Sequence, residues 1–305
     1  DSGGDTDGGA KLYYHLTLLA ENNVGYKNLI QLSSRAYMEG YYYKPRVDWE
    51  TLADHSKGLI ATTGCLGGHV LQSLMRGDME AAVTKAARLQ DIFGRDNLFV
   101  EIQDQGIPEQ HRTNPMLFDL ARRIKAPLLA TNDSHYVHRH DAIAHDALLC
   151  VQTGSLMSDP DRFKFSGDEH YLKTAAEMRH VFSEVPESCD NTLWIAERCN
   201  VEIEFGKPQL PEFPLPAEFA PQEGEAYDVK CRQYLEHLTF EGARARWGAA
   251  LPDAVVERLA YELQVIGDMG FSSYFLIVGD LIAYARGRDI RVGPGRGSAA
   301  GCAVA

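Results

Sequence analysis

Leu128-Leu-Ala-Thr-Asn-Asp-Ser-His-Tyr136 is an apolar run that turns abruptly into a carboxylate and an imidazole. Leu128 to Thr131 has the length and apolarity of a buried strand. The Asp133-x-His135 that follows puts both groups just past the strand end, within reach of one point. Such a pair suits zinc or a divalent transition metal, and a thiolate can join it. In a parallel α/β sheet, the carboxyl ends of the strands are where sites form.

Working outward, strand and helix signals alternate. Tyr13 to Ala20 reads as a strand, with His15 near its start, and Tyr26, Leu29, Ile30 and Tyr37 then recur at helical spacing. Leu59 to Thr63 is a short β-rich run ending on Thr62-Thr-Gly-Cys65. Val70 to Met75 and Met79 to Phe93 read as helices, Leu98 to Gln103 as a strand, and Asn114 to Ile124 as a helix despite Pro115. Ala142 to Val151, Thr174 to Val181 and Thr192 to Asn200 are further helical stretches. Repeated strand–helix units predict an α/β fold, a mainly parallel sheet covered by helices.

A proline-dense stretch, Pro208-Gln-Leu-Pro-Glu-Phe-Pro-Leu-Pro216, cannot continue a helix or a central strand and predicts a semi-rigid connector. Beyond it, Ala226 to Ala249 and Ala254 to Met269 are helical in pattern. The apolar run Tyr274 to Ala285, with Ile290 to Val292, leads into Arg291-Val-Gly-Pro-Gly-Arg-Gly-Ser-Ala-Ala-Gly301. Glycine lets backbone approach a ligand closely, and successive N–H groups before a helix start make an anion site. Arg296 and Ser298 add a guanidinium and a hydroxyl. The loop lacks the lysine of a Walker motif, and it meets the dinucleotide pattern only loosely. A plain glycine-rich turn is the alternative.

The 305 residues suggest two domains, or one large and one partial. No apolar run is long enough to span a bilayer, so no membrane role is expected. Six cysteines without zinc-finger spacing, in a chain of this size, fit a reducing cytoplasm better than a disulfide scaffold. The net charge of −13 argues against most of this surface lying on nucleic acid. The last twenty residues reverse that sign, with Arg286, Arg288, Arg291 and Arg296 against Asp289. The opening Asp-Ser-Gly-Gly and the stop soon after the glycine loop suggest a piece of a longer protein.

Each candidate ligand has a plainer explanation when taken alone. Cys65 could be a small core residue and His15 a satisfied core histidine. Asp133 could be a helix N-cap. His138, His140 and His145 are expected on loop and helix surface, solvated or standing behind the ligands. Glu101 is expected to pair with a neighbouring cation and is not counted as a ligand.

Six segments taken in order carry a resemblance. They are Tyr13-Tyr-His-Leu-Thr-Leu-Leu-Ala-Glu-Asn22, Thr62-Thr-Gly-Cys65, Ala130-Thr-Asn-Asp-Ser-His-Tyr136, His170-Tyr-Leu-Lys173, Gly270-Phe-Ser-Ser-Tyr-Phe-Leu-Ile-Val278 and Arg291 to Gly301. Together they resemble the C-family replicative DNA polymerases of bacteria, the polymerase III alpha subunits, over nearly the whole chain.

The resemblance implies that residues 1–205 are the later part of a PHP domain (polymerase and histidinol phosphatase), a partial distorted β/α barrel. Residues 206–222 would be the connector. Residues 223–305 would be a mainly helical segment leading into the start of the polymerase palm. By motif, His15, Cys65, Asp133 and His135 would ligate Zn²⁺ or Mn²⁺, in a domain that carries 3′–5′ exonuclease activity in some members. Arg296, Gly297 and Ser298 would meet the incoming nucleotide's triphosphate. Cys302 stands where the family usually has serine and reads as a tolerated small residue facing away from the phosphate.

The family's earlier ligand motifs would precede Asp1. The palm carboxylates that hold Mg²⁺ for polymerase chemistry would lie beyond Ala305, leaving no catalytic residue within the chain. Expected partners are primer–template DNA, dNTPs and, through other parts of the parent, replisome subunits such as the sliding clamp. A free-standing PHP phosphoesterase and a non-catalytic PHP scaffold remain the alternatives.

Overall fold

The computed structural model describes residues 13–206, 210–293, 295, 297 and 301–305. The chain divides into two units, residues 1–203 and 204–305.

The first unit runs β1 (Leu18–Ala20), α1 (Asn23–Met38), α2 (Trp49–Asp54), β2 (Leu59–Thr62), α3 (His69–Met75) and α4 (Met79–Phe93). It continues through β3 (Leu98–Ile102), α5 (Pro108–Ile124), β4 (Leu128–Ala130), α6 (Ala142–Thr153), α7 (Ala175–Val181) and α8 (Glu187–Arg198). Side-chain caps start many of these helices. Asn22 accepts from the Val24 and Gly25 N–H groups, Asp78 accepts from Ala81, and Thr174 and Glu177 form a reciprocal capping box. α5 begins at Pro108, six residues earlier than its apolar spacing indicates, because proline suits the first helical turn. Pro115 is then carried inside the helix.

The four strands form one open sheet in the order β1-β2-β3-β4. β2, β3 and β4 are parallel, with Ala61 opposite Leu98 and Val100 opposite Leu128. β1 runs antiparallel to β2, with Leu19 opposite Ile60. The expected strand over 13–20 is therefore only three residues long and reversed. His15 precedes it as an isolated bridge to Gly68. The fold is α/β, with an open sheet in which three of the four strands among the described residues are parallel, followed along the chain by a helical unit.

Period-two alternation sorts the strand residues onto two faces. Leu59, Ala61, Leu98, Val100, Ile102, Leu128 and Ala130 point to one face. There they join Leu32 of α1, Val70 and Leu74 of α3, Leu89 of α4 and Leu120 of α5 in the main core. Ile60, Phe99 and Leu129 point to the other face and pack on Ile195 of α8. Phe99 meets Trp194 edge-on at 5.2 Å. The same face turns polar at its carboxyl edge, where Thr62, Glu101 and Thr131 follow in alternation. The Thr62 hydroxyl donates to Glu101 Oε2, and the Thr131 hydroxyl donates to Oε1 at 2.5 Å. Gln103 Nε2 adds a bond to Oε1 at 3.1 Å. Buried Glu101 thus takes these hydrogen bonds from hydroxyls and an amide, not from the cation the sequence suggested.

The second unit holds α9 (Tyr227–Trp247), α10 (Asp253–Asp268) and α11 (Ser272–Arg286). α10 and α11 both pack on α9, around Cys231, Leu235, Leu263, Ile266 and Leu276. Buried Glu262 gathers the last residues described. Its Oε2 accepts from the Ala303 N–H at 2.6 Å, the Val304 N–H at 3.1 Å and the Cys302 thiol at 3.2 Å, while Arg258 Nε donates to Oε1 at 2.5 Å. Burial pushes this carboxyl up, but these donors outweigh it and hold it below the usual range. Cys302 therefore turns onto a carboxylate, while Ala305 after it is exposed. No single helix among the described residues is long and apolar enough to cross a membrane.

Two stability outcomes follow from these packings. Phe99→Ala removes a ring with no exposed surface and should cost about 3–5 kcal/mol in urea unfolding of the first unit. A cost under about 1 kcal/mol would mean that α8 does not pack on the sheet. Glu262→Gln weakens charge-assisted bonds and should cost roughly 1–3 kcal/mol. Because the folded carboxyl is the more acidic, that contribution is present above the unfolded glutamate pKa and is lost as pH falls through the lowered folded value. Melting curves of wild type and variant should converge in acid, and curves that stay parallel would remove the linkage.

Candidate metal centre and glycine loop

Parallel pairing leaves the carboxyl ends of β2, β3 and β4 on one edge. Because β1 is reversed, its start lies at that same edge. His15 therefore stands beside the loop after β2, with its N–H donating to Gly67 O at 3.2 Å. That loop, Thr63 to Gly68, turns through Gly64 at φ +78°. At Gly68 a Cβ would come within 2.6 Å of Thr63 O, so only glycine lets the backbone close. The turn leaves Cys65 Sγ 3.8 Å from His15 Nδ1.

At the far end of the edge, the loop after β4 carries Asp133 and His135. It is clamped by the segment 170–173. His135 N–H donates to His170 O at 2.8 Å, Asn132 Nδ2 to Tyr171 O at 2.7 Å, and Leu172 N–H to Tyr136 O at 3.0 Å. This pairing brings in a third imidazole. Ligand atoms of Asp133, His135 and His170 all lie within 4.8 Å of one another, with His170 buried and the other two exposed. Both rings turn Nδ1 toward the Asp133 carbonyl, at 3.0 Å for His135 and 3.1 Å for His170. The tautomer with Nδ1–H donating there would leave each Nε2 lone pair open to a metal.

Phe165 forms an apolar wall, its ring centroid 4.5 Å from His135, 4.7 Å from His170 and 4.9 Å from His145. Burial pushes His170 below the usual imidazole pKa, against the opposing pull of the Asp133 carbonyl and carboxylate. Burial lowers His145 as well, reinforced by His135 and His170. Neutral imidazole is the ligating form, so the pocket favours the state a metal needs.

The four residues singled out from sequence thus fall into two pairs on one edge, His15 with Cys65 and Asp133 with His135. Among the described residues, the ligand group within 4.8 Å contains neither His15 nor Cys65. Oxygen, imidazole and thiol donors at this edge match the donor chemistry of zinc, and the carboxylate also suits manganese. His170 was missed as a site residue. Its only sequence signal was the His170-Tyr-Leu-Lys173 motif, with nothing in its spacing to tie it to Asp133. His138 and His140 are exposed and stack on each other at 5.3 Å, whereas His145 joins the Phe165 cluster.

In the glycine loop, Gly297 has φ +73°, in the left-handed region that favours glycine. Arg296 and Ser298 lie outside the described residues. Between Gly301 and Ala305 the side chains are a thiol, methyl groups and an isopropyl group, with no carboxylate to hold Mg²⁺. The Glu262 carboxylate, which meets this segment, is committed to Arg258 and to residues 302–304.

Comparison with known proteins covers nearly the whole chain. The PHP domain family matches residues 5–105, and the bacterial DNA polymerase III alpha NTPase domain matches residues 233–305. A DNA polymerase III subunit alpha of Mycobacterium tuberculosis (strain H37Rv) is 48% identical across 99% of this chain and 25% of its own length. The Treponema pallidum protein of the same name is 45% identical across 96% of the chain and 24% of its own length. That of Thermus aquaticus is 39% identical across 98% and 28%. The chain spans about a quarter of the length of these relatives. Identity of this order, running through both units, places the chain in the bacterial DNA polymerase III alpha family.

Proposed function

We propose that this chain is part of a replicative, template-dependent DNA polymerase. In this reading residues 1–205 are a metal-binding PHP domain, 206–222 a connector and 223–305 the start of the palm. The reading is supported most by the 48% identity to a named polymerase subunit across both units. The substrates are primer–template DNA and dNTPs, and the compartment is the cytoplasm. The reaction draws on Mg²⁺ held by palm carboxylates beyond Ala305, so the chain by itself extends no primer. A replisome subunit such as the sliding clamp engages the longer protein elsewhere.

In the first unit, His15, Cys65, Asp133 and His135 hold Zn²⁺ or Mn²⁺, with His170 orienting Asp133 or joining it as a ligand. A metal bound there supplies Lewis acidity toward a phosphate and a nucleophile derived from water. The protein's part is to aim both imidazoles through the shared Asp133 carbonyl and to keep His170 neutral by burial. That chemistry fits 3′–5′ removal of a terminal nucleotide. In the second unit, Arg296, Gly297 and Ser298 hold triphosphate oxygens by guanidinium, N–H and O–H contacts.

Metal content measured by mass spectrometry tests the first part. Wild-type chain should retain zinc or manganese through gel filtration, and Asp133→Asn or His135→Ala should lower the affinity at least ~10-fold. A wild-type chain that holds no metal when supplied with either ion would leave the PHP unit as a brace. Primer extension by the longer protein tests the second part. Ser298→Ala removes one hydrogen bond to a charged group, worth about 1.5–3 kcal/mol, so kcat/KM for dNTP should fall roughly 10- to 100-fold. Primer–template affinity without nucleotide should stay level. Normal dNTP kinetics with weakened DNA binding would move the loop to the template path.

A further inference from the structure

α10 buries Leu259, Glu262, Leu263 and Ile266, and one of these is charged. An apolar side chain of similar size would pack the helix as well, since a buried ionic group rarely adds stability over a hydrophobic one. What a carboxylate adds is a hold on donors. Three of the four donors to Glu262 come from residues 302–304, which lie 40 to 42 positions along the chain. Two of those three are backbone N–H groups, of Ala303 at 2.6 Å and Val304 at 3.1 Å. Arg258, one turn earlier on α10, takes the other carboxylate oxygen and fixes the side chain's direction.

Apolar contacts hold the same segment. Cys302 and Val304 pack against the core formed by Cys231, Leu235, Leu263, Ile266 and Leu276. The glycine loop ends at Gly301, directly before this anchor. At its other side the chain leaves α11 through a tight turn. Asp289 N–H donates to Arg286 O at 3.1 Å, Ile290 N–H donates to Ala285 O at 2.9 Å, and Asp289 has φ +57°. Arg291 to Gly301 is therefore strung between two fixed points, both on helices that share one core.

Pinning both ends of a loop removes much of its conformational freedom. Donors that must meet a phosphate work best when they are already in place, because ordering them on binding costs affinity. Released at 302–304, the loop would be held at one end alone. We infer that Glu262 is a positioning residue for the glycine loop. It sets where Arg296, Gly297 and Ser298 meet the phosphates of a nucleotide and does not touch the nucleotide itself. This role rests on the reading of that loop as the nucleotide site.

Steady-state primer extension by the longer polymerase tests it. In Glu262→Gln the amide has one oxygen, which cannot serve both the backbone N–H groups and Arg258. With the loop only partly in its binding conformation, KM for dNTP should rise roughly 10-fold while kcat stays within about 2-fold. A purely structural role predicts the opposite split, since loss of folded enzyme lowers kcat and leaves KM level. Ala303→Pro deletes the closer N–H without altering α10 and should raise KM in the same way. It also decides the matter if Glu262→Gln fails to fold. Hydrogen exchange read by mass spectrometry should show slow amides at 303 and 304 in wild type and faster exchange in Glu262→Gln.

Ser298→Ala, assayed in parallel, separates this role from the loop reading beneath it. Impaired dNTP use by Ser298→Ala with unchanged KM in Glu262→Gln and Ala303→Pro would overturn the role of Glu262 and leave the nucleotide loop standing. Normal kinetics in all three variants would overturn both. A raised KM in Glu262→Gln beside a normal Ser298→Ala would uphold the anchor and remove only the serine contact. A fall in kcat at constant KM, or amides at 303 and 304 that exchange freely in wild type, would also overturn the proposal.

Discussion

Parallel pairing of β2, β3 and β4 is the constraint on which the first unit depends. It leaves three strand ends on one edge, and the loops that leave those ends carry Cys65, Gln103 and Asp133 with His135. The reversal of β1 completes the arrangement, because an antiparallel strand offers its start where the others offer their ends. His15 reaches the edge for that reason alone. A parallel β1 would have sent it to the opposite side of the sheet.

The edge is prepared by the layer beneath it. On the face covered by α8, the strands present Ile60, Phe99 and Leu129, and then one step later Thr62, Glu101 and Thr131. The change from apolar to polar is made by side-chain alternation alone, with no break in the strands. A buried carboxylate without partners would cost several kcal/mol, and here two hydroxyls and an amide satisfy it. The polar layer ties β2, β3 and the end of β4 together just below the loops that hold the candidate ligands. Glu262 does similar work in the second unit, binding residues 303 and 304 to α10 through backbone N–H groups.

Some features were legible because they depend on local chemistry. The helices over Met79–Phe93 and Ala142–Thr153 follow from apolar spacing and punctuation, and the strand over Leu98–Ile102 from a short β-rich run between helices. Asp133 and His135 were legible because a strand end delivers its next residues to the edge. The Tyr13–Ala20 run misled because apolar alternation does not distinguish a strand from an extended lead-in, so most of it lies outside the sheet. α2 went unread, since six residues carry too little periodicity. His170 escaped because its contact with Asp133 spans 37 positions and is made by a segment with no periodic signal of its own.

The sequence alone determined the α/β alternation, the family and the residue types that follow the strand ends. These rest on short-range patterns and on ordered motifs, which survive without knowledge of the fold. Tertiary structure decided the direction of β1, and with it the pairing of His15 with Cys65. It decided that His170 stands with Asp133 and His135, and that Glu101 is held by hydroxyls. It also gathered Tyr13, Leu32, Trp49 and His69 around one cleft from separate segments. Each of these depends on which strands pair and in which sense, a choice made by burial of whole faces and not by any residue's neighbours in the chain.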